Sequence, residues 1–320
     1  MIRIRAAALT LALLLSTGAA APPWLSEAEA QAVSSAPAKA ADSRYATAPD
    51  GVKIHYTATG EGPLVVMIHG FPDYAGTWSK LIPALSDNYR TVAIDTRGYN
   101  YSDKPTDVDS YRRDRLVADV EAVIRAEGRT KATVIGHDFG AFIAWFFAFD
   151  RPEMTDSLVI LSVPHPANFA NELATNPEQM RNSQYALALQ AEGSERALSA
   201  ERFAAGRTDP VERQAYLEAL KRSDFRAMTN YYRANFPIGP NAPRPGEPPA
   251  QFPPVTAPVL VIHGVKDPYL LASGHSRSWE RISRDSTFLM IPDADHNVHL
   301  DAPALVNRTI RDWLDARRED

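Results

Sequence analysis

The run Ala132-Thr133-Val134-Ile135 is short and mostly β-branched, and it leads straight into Gly136-His137-Asp138-Phe139-Gly140 and then into an apolar stretch from Ala141. A buried strand, a tight turn and a buried helix form a nucleophile elbow, which presents the residue at the bend above the end of a sheet. Glycine at 136 and 140 suits that bend, because only residues without bulk let strand and helix converge so closely. The bend itself carries Asp138 rather than the serine common at such turns. A carboxylate attacking an sp3 carbon forms an alkyl ester of the protein, which water must then cleave at the Asp carbonyl. Esterase and lipase chemistry is thereby disfavoured. The reading without chemistry is an aspartate that merely caps a helix.

Elements that could position such a group are legible on both sides. Leu64–Ile68, Thr91–Ile94, Ala132–Ile135, Leu158–Leu161 and Val259–Ile262 are short, almost wholly apolar runs, the pattern of strands covered on both faces in a parallel sheet. Between them, Leu116–Ala126 is an amphipathic helix, while Ala141–Phe149 is apolar all round and belongs in the interior. Tyr45–Ala48 and Val52–Thr57, joined by Asp50-Gly51, read as an antiparallel hairpin. Thr287–Ile291 is a last strand and Pro303–Arg317 a closing helix. Alternating strand and helix implies an α/β fold with a mostly parallel central sheet flanked by helices.

That rhythm stops between Pro166 and Pro258, where Glu, Arg, Gln and Ala dominate and no strand-like run occurs. The stretch reads as an inserted helical cap, residues 166–258, between core segments 44–165 and 259–320. It ends in Pro237–Pro258, whose prolines at 237, 240, 243, 245, 248, 249, 253, 254 and 258 forbid regular structure and make a stiff return linker. Asp267 follows the strand Val259–Ile262, in a loop at a strand's C-terminal end, where open α/β sheets place their sites. A carboxylate there could fix the tautomer of an imidazole. Its bland reading is a turn-forming aspartate before Pro268.

Asp138 in its elbow, His69-Gly70-Phe71-Pro72, Arg97-Gly98-Tyr99 with Ser102-Asp103-Lys104-Pro105, and a late histidine together resemble the epoxide hydrolases of the α/β-hydrolase superfamily, over Tyr45 to Trp313. The resemblance implies the α/β-hydrolase fold with its cap, and a site in which Asp138 is the nucleophile. His296, in Ile291-Pro292-Asp293-Ala294-Asp295-His296, stands where the family places its base, with His299 as nearest competitor. Some relatives carry the acid after the preceding strand, but Ser162-Val163-Pro164-His165-Pro166 has no carboxylate, which leaves Asp267 to orient His296.

An epoxide oxygen leaves as a very basic alkoxide, so acids are needed above the nucleophile, and phenols tolerate an apolar pocket. Asn230-Tyr231-Tyr232-Arg233 resembles the family's Asn-Trp-Tyr-Arg segment and so assigns Tyr232 as one donor, with Tyr231 a competing phenol where the family has tryptophan. The second donor maps to Tyr185, five residues before Gln190. The matched motifs also imply an oxyanion hole from the backbone N–H groups of Phe71 and Phe139. His69 is expected to shape its turn and Arg97 its loop. The pocket lining is expected among Phe71, Phe139, Trp145 and Tyr231.

Composition narrows the partners. At 320 residues and 45% apolar content the chain can bury a full core. A formal charge of −5, with no Lys/Arg run past the first few residues, gives no footprint for nucleic acid. No cysteine occurs, which excludes disulfides, thiolate metal sites and a Cys nucleophile. The chemistry needs no metal or organic cofactor, only a small-molecule epoxide and water. Residues 1–21 carry Arg3 and Arg5, the apolar stretch Ala6–Leu15 and small residues Ser16–Ala21, the layout of a secretory signal. Ten or so apolar residues fall short of the roughly 20 that span a bilayer, so a periplasmic or secreted protein without stable membrane insertion is expected. Residues 22–43 read as a linker or disordered segment. The oligomeric state is not legible.

Two other readings stay open. Haloalkane dehalogenases share the Asp elbow but hold halide with an N–H pair, a Trp after the nucleophile and often an Asn after His-Gly, where this chain has Phe139 and Phe71. Fluoroacetate-type enzymes place Arg after the nucleophile, which Phe139 does not supply. Most family epoxide hydrolases also have Trp there, so Phe139 departs from them too. The other reading is a non-catalytic secreted binder that keeps the fold.

Overall fold

The computed structural model describes residues 41–236, 238 and 251–318. The expected signal, most of the linker that follows it and most of the proline-rich return linker lie outside the described residues.

Eight strands form one sheet in the order β1-β2-β4-β3-β5-β6-β7-β8. β1 (Asp42–Thr47) and β2 (Lys53–Thr59) are an antiparallel hairpin turning at Gly51, whose φ of 86° suits a residue without Cβ. β2 pairs antiparallel with β4 (Arg90–Ile94). All later pairings are parallel, through β3 (Leu64–Ile68), β5 (Ala132–His137), β6 (Thr155–Leu161), β7 (Val259–Gly264) and β8 (Ser286–Ile291). β3, β5 and β7 are buried at every position, as their predominantly apolar runs require.

The two-residue period of a strand sorts those side chains into two cores. Val66, Ile68, Val92, Ile94, Val134, Ile160 and Val261 face α2 (Arg113–Ala126) and α3 (Phe139–Asp150). Val65, Met67, Ala93, Ile135, Val159 and Ile262 face the other way, onto Trp78, onto Leu85 of α1 (Ile82–Leu85), and onto Val306, Ile310 and Trp313 of α11 (Pro303–Ala316). α10 (Val298–Asp301) precedes α11. Each large apolar side chain so removed from water contributes about 1.5–3 kcal/mol.

Among the described residues between β6 and β7, six α-helices follow one another: α4 (Pro166–Thr175), α5 (Pro177–Asn182), α6 (Gln184–Gln190), α7 (Ala200–Ala204), α8 (Pro210–Arg222) and α9 (Phe225–Asn235). Local chemistry starts them. Asn176, Ser199, Asp209 and Asp224 each accept backbone N–H bonds as N-caps, and Pro166, Pro177 and Pro210 take first-turn positions where no N–H is missed. α9 is pinned to the loop after β4: the Asp224 N–H donates to Gly98 O at 3.0 Å, Tyr231 Oη donates to Arg97 O at 2.7 Å, and Asn235 Nδ2 donates to Tyr111 O at 2.7 Å.

Candidate active site

β5, β6 and β7 are adjacent, so their C-terminal ends bring distant sequence together, and the loop after β8 closes the group. Asp138 sits directly after β5 with φ 51° and ψ −124°, a backbone conformation that is strained for any residue with a side chain. Its neighbours allow that bend. A Cβ on Gly136 would strike the Gly140 carbonyl, one on Gly140 the Ile68 carbonyl, and one on Gly70 the Asp138 side chain itself.

Asp138 Oδ1 accepts the Phe71 N–H at 2.7 Å, and Oδ2 lies 3.2 Å from His296 Nε2. On the far side, His296 Nδ1 is 2.8 Å from Asp267 Oδ2, while Asp267 Oδ1 accepts the N–H groups of Tyr269 (2.8 Å) and Leu270 (3.0 Å). Asp138, His296 and Asp267 thus lie in one hydrogen-bonded line, all buried. Phe139 opens α3, so its N–H is among those a helix leaves without an intrahelical partner. His299 lies elsewhere: its Nε2 meets Thr77 Oγ1 at 2.9 Å and its ring packs on Trp78.

Burial acts against charge on both partners of the central pair, yet each holds the other ionised. Burial would raise the Asp138 carboxyl, but the His296 ring and the Phe71 N–H keep it below the ordinary carboxylate value. Burial would likewise lower His296, but hydrogen bonds and charge from Asp138 and Asp267 lift it to about 10. The resting site is therefore an imidazolium between two carboxylates.

Over this line stand two phenols. Tyr232 packs edge-to-face on Phe139 (centroids 4.9 Å) and Phe71 (5.3 Å) and lies 6.1 Å from the Tyr185 ring. Burial raises both well above the usual phenol value, helped by the charge of Asp138 on each, and on Tyr232 by its neighbour Tyr185. They are neutral acids. Tyr231 points away and gives its hydroxyl to Arg97 O, so the second phenol of that segment is committed to holding α9. Arg97 is itself buried between Asp119 (2.6 and 2.7 Å) and Asp50 (2.9 Å). His69 Nδ1 is 2.8 Å from Gly70 O, and its Nε2 accepts the Thr96 N–H at 3.1 Å.

Asp138, His296, Tyr185 and Tyr232 all line one cavity of about 760 Å³. Its wall corrects the expected lining: of Phe71, Phe139, Trp145 and Tyr231, only Phe71 lines it. Phe139 and Tyr231 stand behind Tyr232, and Trp145 is fully buried with Nε1 3.4 Å from Val163 O. Leu189, Leu198, Phe203, Arg207, Tyr216 and Tyr269 supply the wall instead. Sequence reading missed Tyr269, whose ring sits 5.2 Å from both Tyr185 and His296. The signal was its place two residues after Asp267, whose carboxylate binds its N–H. No comparable cue marked Arg207, which reaches Asp73 across the cavity wall at 3.0 Å. Among the described residues, no group of three or more metal-ligating side chains is gathered.

Comparison with known proteins agrees with this architecture. A family model described as alpha/beta hydrolase fold matches residues 63–182. The chain is 33% identical over 293 residues to epoxide hydrolase 1 of Caenorhabditis elegans, covering 85% of this chain and 70% of that protein. It is 34% identical over 283 residues to the AB hydrolase superfamily protein YfhM of Bacillus subtilis (strain 168), covering 83% and 95%. The crystal structure of a mutant epoxide hydrolase from Bacillus megaterium superposes with a TM-score of 0.78 at 30% identity, covering 85% of this chain and all of that one. Likeness of this degree over these spans places the chain in the epoxide hydrolase family of the α/β-hydrolase superfamily.

Proposed function

We propose that this protein hydrolyses a neutral or apolar epoxide to a vicinal diol through a covalent ester on Asp138. One observation carries the reading: a buried carboxylate held between the Phe71 N–H and His296 Nε2, beneath two neutral phenols. Asp138 Oδ2 attacks a ring carbon, the carbon–oxygen bond breaks towards oxygen, and Tyr232 with Tyr185 gives that oxygen a proton. Esterification removes one of the two carboxylate charges that hold the imidazolium. His296 then yields its proton, which restores the phenol, and as a neutral base takes a proton from water. The hydroxide adds to the Asp138 carbonyl, whose oxygen is met by the Phe71 and Phe139 N–H groups, and collapse releases the diol. Asp267 holds the His296 ring in register throughout.

The test is a single turnover with an aryl epoxide in heavy-oxygen water, together with His296→Gln. The label is expected in the Asp138 side chain before the diol, and the variant is expected to carry a stable mass increment equal to the epoxide. Label confined to the diol, with no adduct on the variant, would overturn the mechanism. A haloalkane offered in parallel should release no halide, since among the described residues no tryptophan lines the cavity to supply an indole N–H. Residues 166–258 serve in this reading as the cap that carries the acids. Arg3, Arg5 and the apolar run after them support export of the chain.

A further inference from the structure

His296 is held by more than its ring. Its backbone carbonyl oxygen accepts from Ser162 Oγ at 2.7 Å and from His137 Nε2 at 2.9 Å, both side chains buried. A carbonyl only accepts, so both groups donate, and His137 must carry its proton on Nε2. Its Nδ1 is then the bare nitrogen, and it is buried without a partner among the described residues. Burial and the neighbouring His296 charge lower His137 to about 4, which keeps it a neutral donor.

Ser162 has a second peculiarity. It follows β6, between the strand that ends at the nucleophile and the strand that leads to Asp267, and its φ is 67°. That left-handed conformation is unfavourable for serine and natural for glycine. A serine kept in such a backbone, fully buried, directs its hydroxyl at one atom of the loop that bears His296. We infer that Ser162 and His137 are positioning residues that clamp the His296 carbonyl and so fix the imidazole for the water-dependent half of the reaction.

The physical reason concerns which step needs the clamp. In the resting protein the imidazolium is drawn towards Asp138 and Asp267 together, so a loosened loop weakens both contacts without losing either. Once Asp138 is an ester that attraction is gone, and His296 must aim a lone pair at a water molecule with Asp267 as its one remaining charged partner. Misplacement by about 1 Å can cost on the order of a hundredfold in rate. The two backbone-directed hydrogen bonds do not change when Asp138 is alkylated, so they hold the loop through both steps. The inference rests on the mechanism proposed above.

The decisive variant is Ser162→Gly in the full chain. It removes the hydroxyl while relieving the backbone, so a purely structural serine would leave the melting temperature unchanged or higher and the kinetics untouched. We expect the melting temperature to be no lower, and the rate of ester cleavage to fall at least tenfold more than the rate of ester formation, measured by quench and intact mass. His137→Leu should act in the same sense, and His137→Gln, which keeps an N–H donor, should recover part of the loss. Equal losses in both half-reactions, or none, would overturn the clamp. A readout independent of any ester is the titration of His296 by NMR in the resting protein. The groups facing its ring and loop are Asp138, Asp267, Asp301, His137, His263, His299 and Tyr269. Loosening the carbonyl should move the midpoint downward by about a unit in Ser162→Gly, and an unmoved midpoint would also refute the clamp. If the parent protein never forms an ester, the covalent mechanism fails on its own, and this titration still decides the clamp.

Discussion

His296 Nε2 lies 3.2 Å from Asp138 Oδ2, so in the proposed mechanism the base of the second step begins the cycle as the counter-ion of the nucleophile of the first. This pairing ties the chemistry to pH. With its native pKa raised to about 10 against an ordinary value of 6.5, the folded protein binds more protons than the unfolded chain between those limits. His296 therefore stabilises fully below about pH 6.5, and the stabilisation is lost as pH rises towards 10, by up to about 1.4 kcal/mol per pH unit. Thermal unfolding across that window should show the decline, and His296→Gln should lack it. If both proteins decline in parallel, the ion pair is not the cause.

Asp267→Asn is expected to leave the fold intact and reduce turnover by roughly 10³–10⁴, because the amide no longer selects the tautomer with hydrogen on Nδ1. The same substitution removes one of the two carboxylates that lift His296, so its titration midpoint should fall well below that of the parent protein. Steady-state kinetics and NMR titration check the two halves separately. A variant with normal turnover would remove Asp267 from the mechanism.

Tyr231 and Tyr232 are neighbours in sequence with opposite roles in space, and paired substitutions separate them. Tyr232→Phe removes a proton donor from the cavity and should slow ester formation about 10²-fold or more, with little change in stability. Tyr231→Phe deprives the buried Arg97 carbonyl of its partner and should destabilise by about 1 kcal/mol while sparing the rate of ring opening. Denaturant midpoints and single-turnover rates measure both. The reverse pattern would make Tyr231 the donor.

The elbow was legible because its constraints are local: an apolar strand, two glycines and an apolar helix lie within one stretch of chain, and strain at Asp138 leaves few other residues possible beside it. The parallel part of the sheet was legible for the same reason, as its strands carry short, almost wholly apolar runs, whereas the polar β1 and β2 showed only through the turn at Asp50-Gly51 between them. What could not be read depended on which face of an element meets which neighbour. α3 is apolar all round, so no periodicity distinguished Trp145, turned into the interior, from a residue on the cavity wall. The helices α6, α7 and α8 contribute Leu189, Phe203 or Tyr216 to the cavity only through their docking, which composition does not encode. Ser162 and His137 were opaque because their partner is a backbone carbonyl, which has no identity in sequence.

Gly140 and Gly128 offer a last contrast between geometry that builds the site and geometry that only turns the chain. A Cβ at Gly140 would run into the Ile68 carbonyl at the end of β3, and the loop beyond that carbonyl carries the Phe71 N–H that holds Asp138 Oδ1. Backbone cannot swing aside as a long side chain can, so Gly140→Ala should destabilise by about 1–3 kcal/mol and, by displacing β3 from the elbow, slow ester formation as well. Gly128 has φ 68° with open space where a Cβ would stand. Gly128→Ala should therefore lose about 1–2 kcal/mol from its backbone conformation alone and keep its full rate in the surviving folded protein. Equilibrium unfolding with active-site titration distinguishes the two, and a Gly140→Ala protein with undiminished single-turnover rates would show that the elbow tolerates a wider approach of β3 than this packing allows.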